Sequence, residues 1–211
     1  MADSEDSQDN QKPIKITVNL VGHYGVGKTS ILTRLISNNY ETTGETTLGA
    51  NYKSKTIFHE GKELLFSFWD TAGQDKFHSV IRSYYRSANI VILVYDITNR
   101  ESFLKLNFWH KEVVEYAPTN VKFMIIGNKS DQVKKRAVSV EEGQEFAEKK
   151  YSPFFETSAK NNENIFLIIT RLIEIFNNNK SAIVNEIQKS HKKLKIKKEK
   201  QQKAIDKKGC C

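Results

Sequence analysis

Residues 22–29 read Gly-His-Tyr-Gly-Val-Gly-Lys-Thr, with glycines at 22, 25 and 27. Backbone without Cβ atoms can turn several consecutive N–H groups toward one anion. In the spacing Gly-x4-Gly-Lys-Thr, at the start of a helix, those N–H groups cradle nucleotide phosphates. Lys28 then reaches the β- and γ-phosphates, and Thr29 offers its hydroxyl to Mg²⁺. Gly22, Gly25, Val26, Gly27 and Ser30 complete the expected cradle. A glycine-rich turn that binds nothing is the competing interpretation, and the flanking pattern disfavours it. Ile14, Ile16, Val18 and Leu20 alternate with Lys15, Thr17 and Asn19, a strand period; Ile31, Leu32, Leu35 and Ile36 follow at helical spacing.

A phosphate loop does not select a base, but two later segments do. Asn128-Lys129-Ser130-Asp131 follows the apolar run Val121 to Ile126, at the carboxyl edge where ligands of α/β sheets bind. A carboxylate there accepts from N1–H and the exocyclic amine of guanine, a donor pair that adenine lacks. Glu156-Thr157-Ser158-Ala159-Lys160 follows a short strand at Phe154–Phe155, where backbone N–H meets the guanine carbonyl oxygen. Each segment alone could be a polar turn; in this order behind a phosphate loop they point to guanine.

The elements that must hold these loops are legible as alternating strands and helices. Strands are expected at Asn51–Phe58 and Leu64–Asp70 around a Glu60-Gly61-Lys62 turn, and at Ile90–Tyr95 and Val121–Ile126. The last two are nearly continuous apolar runs, suited to parallel strands buried on both faces. Phe103, Leu106, Trp109 and Val113 mark one helix, and Ile165, Ile168, Ile169, Leu172, Ile173 and Phe176 mark another. The pattern predicts an open α/β sheet with helices on both faces.

The set Gly-x4-Gly-Lys-Thr, Trp69-Asp70-Thr71-Ala72-Gly73-Gln74, Asn-Lys-x-Asp and Thr-Ser-Ala-Lys resembles the Ras superfamily of small GTPases. Tyr84-Tyr85-Arg86, the stretch Leu93 to Asn99 and the terminal Gly209-Cys210-Cys211 are similar to the Rab family. The resemblance covers about residues 14–176 and the C-terminus. It implies the P-loop NTPase fold, with a six-stranded, mostly parallel sheet, and a GTPase that cycles between GTP and GDP with Mg²⁺. It also gives roles to matching positions. Thr47 resembles the threonine that closes on Mg²⁺ and the γ-phosphate, and Asp70 the acid that holds Mg²⁺. Gly73 would donate to the γ-phosphate, Gln74 would orient the attacking water, and Tyr40 would stack on guanine. Lys28, Thr47 and Gln74 are then the catalytic set, because phosphoryl transfer depends on positioning and charge neutralisation. Implied partners are an exchange factor, a GTPase-activating protein, a GDP-dissociation inhibitor, a Rab escort protein and effectors that read the switch segments.

Tyr24 departs from the small residue usual at its position in that family. A phenol beside the γ-phosphate would crowd the water, Gln74 and an incoming arginine, so slow hydrolysis and a mostly GTP-bound interaction module form the alternative expectation. His23 and Ala50-Asn51-Tyr52 also depart from the family pattern.

The chain has 211 residues with 38% apolar and 10% aromatic content, enough for one domain with a core. No run of 18 apolar residues suggests a membrane span. Residues 1–12 read as a disordered acidic leader, 13–177 as the nucleotide-binding domain, and 178–211 as a flexible lysine-rich tail. From Lys180 onward there are eleven lysines and three acids, a net +8, which is the formal charge of the whole chain. The only cysteines are Cys210 and Cys211, which excludes a disulfide framework. The resemblance implies prenylation of both, and two chains anchor where one binds only marginally. The lysines would either add attraction to an anionic leaflet or serve as a solvated linker, and a weak apolar spacing of Ile183, Ile187 and Leu194 could give transient helix. A nucleic-acid role for the tail is disfavoured by the terminal cysteine pair, so a lipid-anchored location on the cytoplasmic face of an intracellular membrane, with a cytosolic pool, is expected.

Overall fold

The structure, a computed structural model, describes residues 12–40, 50–71, 78–185 and 187. Six strands form one sheet: β1 (Ile14–Val21), β2 (Ala50–His59), β3 (Lys62–Thr71), β4 (Ile90–Asp96), β5 (Lys122–Asn128) and β6 (Phe154–Thr157). Their order is β2-β3-β1-β4-β5-β6. Only the β2–β3 pair is antiparallel. Its tight turn places Glu60 (φ 49°) and Gly61 (φ 70°) in left-handed conformations, which matches the twist of a two-residue hairpin.

The helices α1 (Lys28–Ser37), α2 (His78–Tyr85), α3 (Arg100–Leu104), α4 (Leu106–Tyr116), α5 (Val140–Glu148) and α6 (Ile165–Asn178) flank the sheet. The sheet separates two apolar cores. Ile90, Ile92 and Val94 of β4 face the core under α1 and α6, with Ile31, Leu35, Ile168 and Leu172. Val91, Leu93 and Tyr95 face the other, with Ile81, Leu106, Trp109 and Phe146. A strand apolar at every position is thereby explained, since a period-two chain presents both faces to oil. Tyr95 needs more room than its neighbours. Gly127 and Gly143 provide it, because a Cβ at either would come within 2.8 and 2.5 Å of its phenolic oxygen.

Three expectations change. The single helix from Phe103 to Val113 is two pieces meeting at Lys105, which itself stays right-handed (φ −68°, ψ −10°). Asn19, read as a polar position of an alternating strand, is fully buried with neither amide atom hydrogen-bonded. The sheet is covered on both sides there, so alternation no longer means solvent. Finally, packing extends past residue 177. Residues 180–185 are helical, and Ile183 is 1% exposed inside the core shared by α1 and α6. Asn120 reinforces this segment by donating from Nδ2 to the Ala182 carbonyl at 3.4 Å.

Candidate functional site

The strand order reverses at β1, whose neighbours β3 and β4 lead away in opposite directions. A crevice opens at such a reversal beyond the carboxyl ends of the strands. The loop of residues 22–27 fills it. Gly22 passes so close to β4 that a Cβ would collide with the Val94 carbonyl oxygen, and Gly27 (φ 94°) so close to the base loop that one would strike Asn128 Nδ2. Gly25 is also left-handed (φ 75°), giving the loop its turn toward the N-terminus of α1.

Lys28 heads that helix and folds back under the loop. Its ammonium donates to the carbonyls of Gly22 at 2.8 Å and His23 at 3.0 Å. The residue is only 6% exposed, and this burial pushes its pKa down to about 8, partly opposed by the Asp70 carboxylate. Water is therefore displaced from the charge that would meet phosphate, which strengthens the interaction. Next to it, Thr29 Oγ1 donates to Asp70 Oδ2 at 2.6 Å. Two hard oxygens, one carboxylate and one hydroxyl, thus converge at the mouth of the cradle from α1 and the end of β3. That donor set fits Mg²⁺, which prefers oxygen ligands and retains several waters.

Beyond the loop lies a cavity of about 680 Å³. Gly27, Ser30 and Tyr40 line one side, and Asn128, Lys129, Asp131, Ala159 and Lys160 line the other. All eight are among the residues expected from the sequence to hold nucleotide. Asn128 works as a strut: its Nδ2 donates to the Val26 carbonyl at 2.8 Å, and its Oδ1 accepts from Thr157 Oγ1 at 3.2 Å. Ser158 does not line the cavity but orients Asp131, donating from Oγ to Oδ1 at 2.6 Å. The remaining carboxylate oxygen can then accept from a base edge. Tyr40 lies against the Arg34 guanidinium, 5.7 Å from ring centre to Cζ.

Other residues at the site went unread in the sequence. Gln132, Val133, Lys134 and Lys135 of the 3₁₀ segment Ser130–Lys135 extend the cavity wall. Arg136 grips Glu156 with two bonds of 2.6 and 2.7 Å, tying the two base-side loops together. Arg34 crosses from α1 to the carbonyls of Ala159 and Lys160. Contacts over such separations leave no periodic trace. One did leave a signal: Asp96 is a charged end to an otherwise apolar strand, and it pairs with Lys129. Thr47, Gly73, Gln74, Cys210 and Cys211 lie outside the described residues.

Comparison with known proteins agrees with this geometry. The Ras family model matches residues 17–178. The chain is 41% identical to Ras-related protein Rab-15 of Rattus norvegicus over 156 residues, 74% of each chain. It is 44% identical to Ras-related protein Rab-10 of Diplobatis ommata over 146 residues, 69% of this chain and 73% of that one. It is 40% identical to Ras-related protein SEC4 of Candida albicans over 156 residues, again 74% of each. The chain belongs to the Rab branch of the Ras family: it is a small GTPase that binds GTP and GDP with Mg²⁺ and hydrolyses GTP to GDP.

Proposed function

We propose that this GTPase is a membrane-anchored switch in intracellular vesicle traffic, recruiting effectors while GTP is bound. The observation that carries the reading is an aromatic surface beside the switch positions. Tyr52 on β2 packs on Trp69 of β3 with ring centres 5.2 Å apart, and Trp69 packs on Tyr84 of α2 at 4.7 Å. Tyr52 is 48% exposed. In the chain Tyr52 and Trp69 lie between Thr47 and Gln74, the two residues proposed to respond to the γ-phosphate, and Tyr84 follows Gln74 by ten positions. A partner docking there would bury aromatic area and sense both segments at once.

In the proposed mechanism Lys28 binds the β- and γ-phosphates, with the N–H groups of residues 25–30 around them. Thr29 and Asp70 would hold Mg²⁺, which when bound would supply positive charge beside the phosphates. Thr47 closes over the same charges, Gly73 donates to the γ-phosphate, and Gln74 orients water for in-line attack. Asp131 and the loop at Ser158–Lys160 read the guanine edge, and Tyr40 covers its face. An exchange factor, an activating protein, a GDP-dissociation inhibitor and an escort protein are the partners such a cycle needs. Prenylation at Cys210 and Cys211 and the lysine-rich segment supply attachment to a cytoplasmic membrane face. Membrane fractionation of the full chain and of Cys210→Ser/Cys211→Ser tests this. Loss of the membrane pool in the variant is expected, and an unchanged distribution would refute anchoring.

Tyr24 supports a second reading, a slowly hydrolysing and mostly GTP-bound form. Its ring projects from the phosphate loop, 55% exposed and edge-on to His23 with centres 6.5 Å apart. A phenol at that rim narrows the approach of an activating residue. Single-turnover hydrolysis should accelerate in Tyr24→Ser; an equal rate removes this reading.

A further inference from the structure

Asp96 ends β4, and every polar atom of its carboxylate is spoken for. Oδ1 accepts from the Thr98 N–H and from Thr98 Oγ1, both at 2.8 Å. That leaves Oδ2 to the Lys129 ammonium at 2.7 Å. The backbone N–H of Asp96 is also held, donating to Ser102 Oγ at 3.0 Å. The residue is 5% exposed. A carboxylate this enclosed has one rotamer and little water to compete for it.

Lys129 uses the same ammonium for a second bond, to the Gly25 carbonyl at 2.8 Å. One cation thus links the end of β4, the base-reading loop and the phosphate loop. Lys129 itself sits at φ 68° and ψ 37°, a left-handed conformation that a side chain with a Cβ adopts at a cost. Something must hold it there. The Asn128 carbonyl accepts from the Ile97 N–H at 3.0 Å, which pins the backbone, but the long side chain still has four torsions to fix. Without the carboxylate, a partly exposed lysine would spend most of its time extended into water.

We propose that Asp96 is a positioning residue that sets how long guanine nucleotide stays bound, by holding Lys129 across the phosphate loop. The proposal rests on the assignment of Lys129 to the nucleotide cavity. Nucleotide leaves when the phosphate loop and the base loop part, and Lys129 spans both. The Asp96 carboxylate makes that span the default geometry of the protein, so the nucleotide does not have to organise it on arrival. Thr98 acts one step back, by occupying Oδ1 so that Oδ2 faces the lysine.

The test is release of mant-GDP, chased with excess GDP in Mg²⁺ buffer, from the full chain and its Asp96→Asn, Lys129→Met and double variants. Each single variant is expected to release about tenfold faster, a change of about 1.4 kcal/mol. The double variant should stay within about twofold of Lys129→Met, because both changes break one linkage. Thr98→Val, which leaves the charges in place, should release about threefold faster. It supplies the same readout if Asp96→Asn fails to fold. If Lys129→Met releases at the normal rate, the assignment of Lys129 fails and the proposal with it. If Lys129→Met is fast but Asp96→Asn and Thr98→Val are normal, or if the two effects multiply to about a hundredfold, the assignment stands and the proposal is overturned.

Discussion

Raising the pH from about 7.5 to about 8.5 should weaken guanine-nucleotide binding about threefold, through the single proton on Lys28. With the protein's own groups alone, burial holds that ammonium down to about 8. Bound phosphates place negative charge against it and raise its pKa, so the complex keeps its proton while the free protein gives it up. Affinity is then divided by one plus the ratio of neutral to charged Lys28, about 1.3 at the lower pH and about 4 at the higher. The difference is about 0.7 kcal/mol, and proton uptake on binding rises from about a quarter to about three quarters of a proton. Titration calorimetry of GDP–Mg²⁺ in two buffers with different ionisation heats measures that uptake directly. Folding of the protein without nucleotide responds with the opposite sign. Its Lys28 pKa lies below the ordinary 10.5 of an unfolded chain, so this residue adds stability as pH rises from about 8 to 10.5. Binding heats independent of buffer near pH 8.5, or an affinity that climbs across the interval, would refute the reasoning.

Four further outcomes follow from geometry. Asn19→Val should raise the melting temperature, since it removes a buried amide with both polar atoms unpaired, a cost of about 1–3 kcal/mol; thermal unfolding of the GDP complex checks it. Gly27→Ala should lower GDP affinity at least about tenfold by equilibrium titration, because its Cβ displaces the Asn128 amide and its backbone is left-handed. Arg136→Ala should cost about 1.5–3 kcal/mol in urea unfolding, the worth of charged hydrogen bonds such as its pair to Glu156. Ile183→Ala should cost about 2–5 kcal/mol in the same experiment, whereas a residue in a solvated tail would show no change.

The parts of this molecule written in local pattern could be read without coordinates. The phosphate loop is contiguous, β4 announces itself by six apolar or aromatic positions before a charge, and α6 by its stripe from Ile165 to Phe176. The base-reading loops follow strands and therefore land on the correct edge of the sheet. What stayed hidden depends on distance along the chain. Lys129 and Asp96 are 33 positions apart, Arg34 and Ala159 are 125, and no period connects them. Asn19 misled because alternation reports polarity, and a strand roofed on both sides has no polar face. Ile183 misled because the spacing of Ile183, Ile187 and Leu194 is a weak apolar signal; its burial comes from packing into the core beside α1 and α6, a tertiary event.

Strand β4 belongs to both cores at once, one face to each, and its last residue pairs with Lys129 of the nucleotide cavity. Its amides can therefore meet solvent only when the whole domain unfolds, while the loops at its carboxyl end can open with the strand intact. Hydrogen exchange along this one segment would separate two clocks. Amides from Ile90 to Val94 would tick with global unfolding, and those around Lys129 and Gly25 with nucleotide release. An exchange factor has to accelerate only the second clock, prying loops from a scaffold that never lets go of its shape.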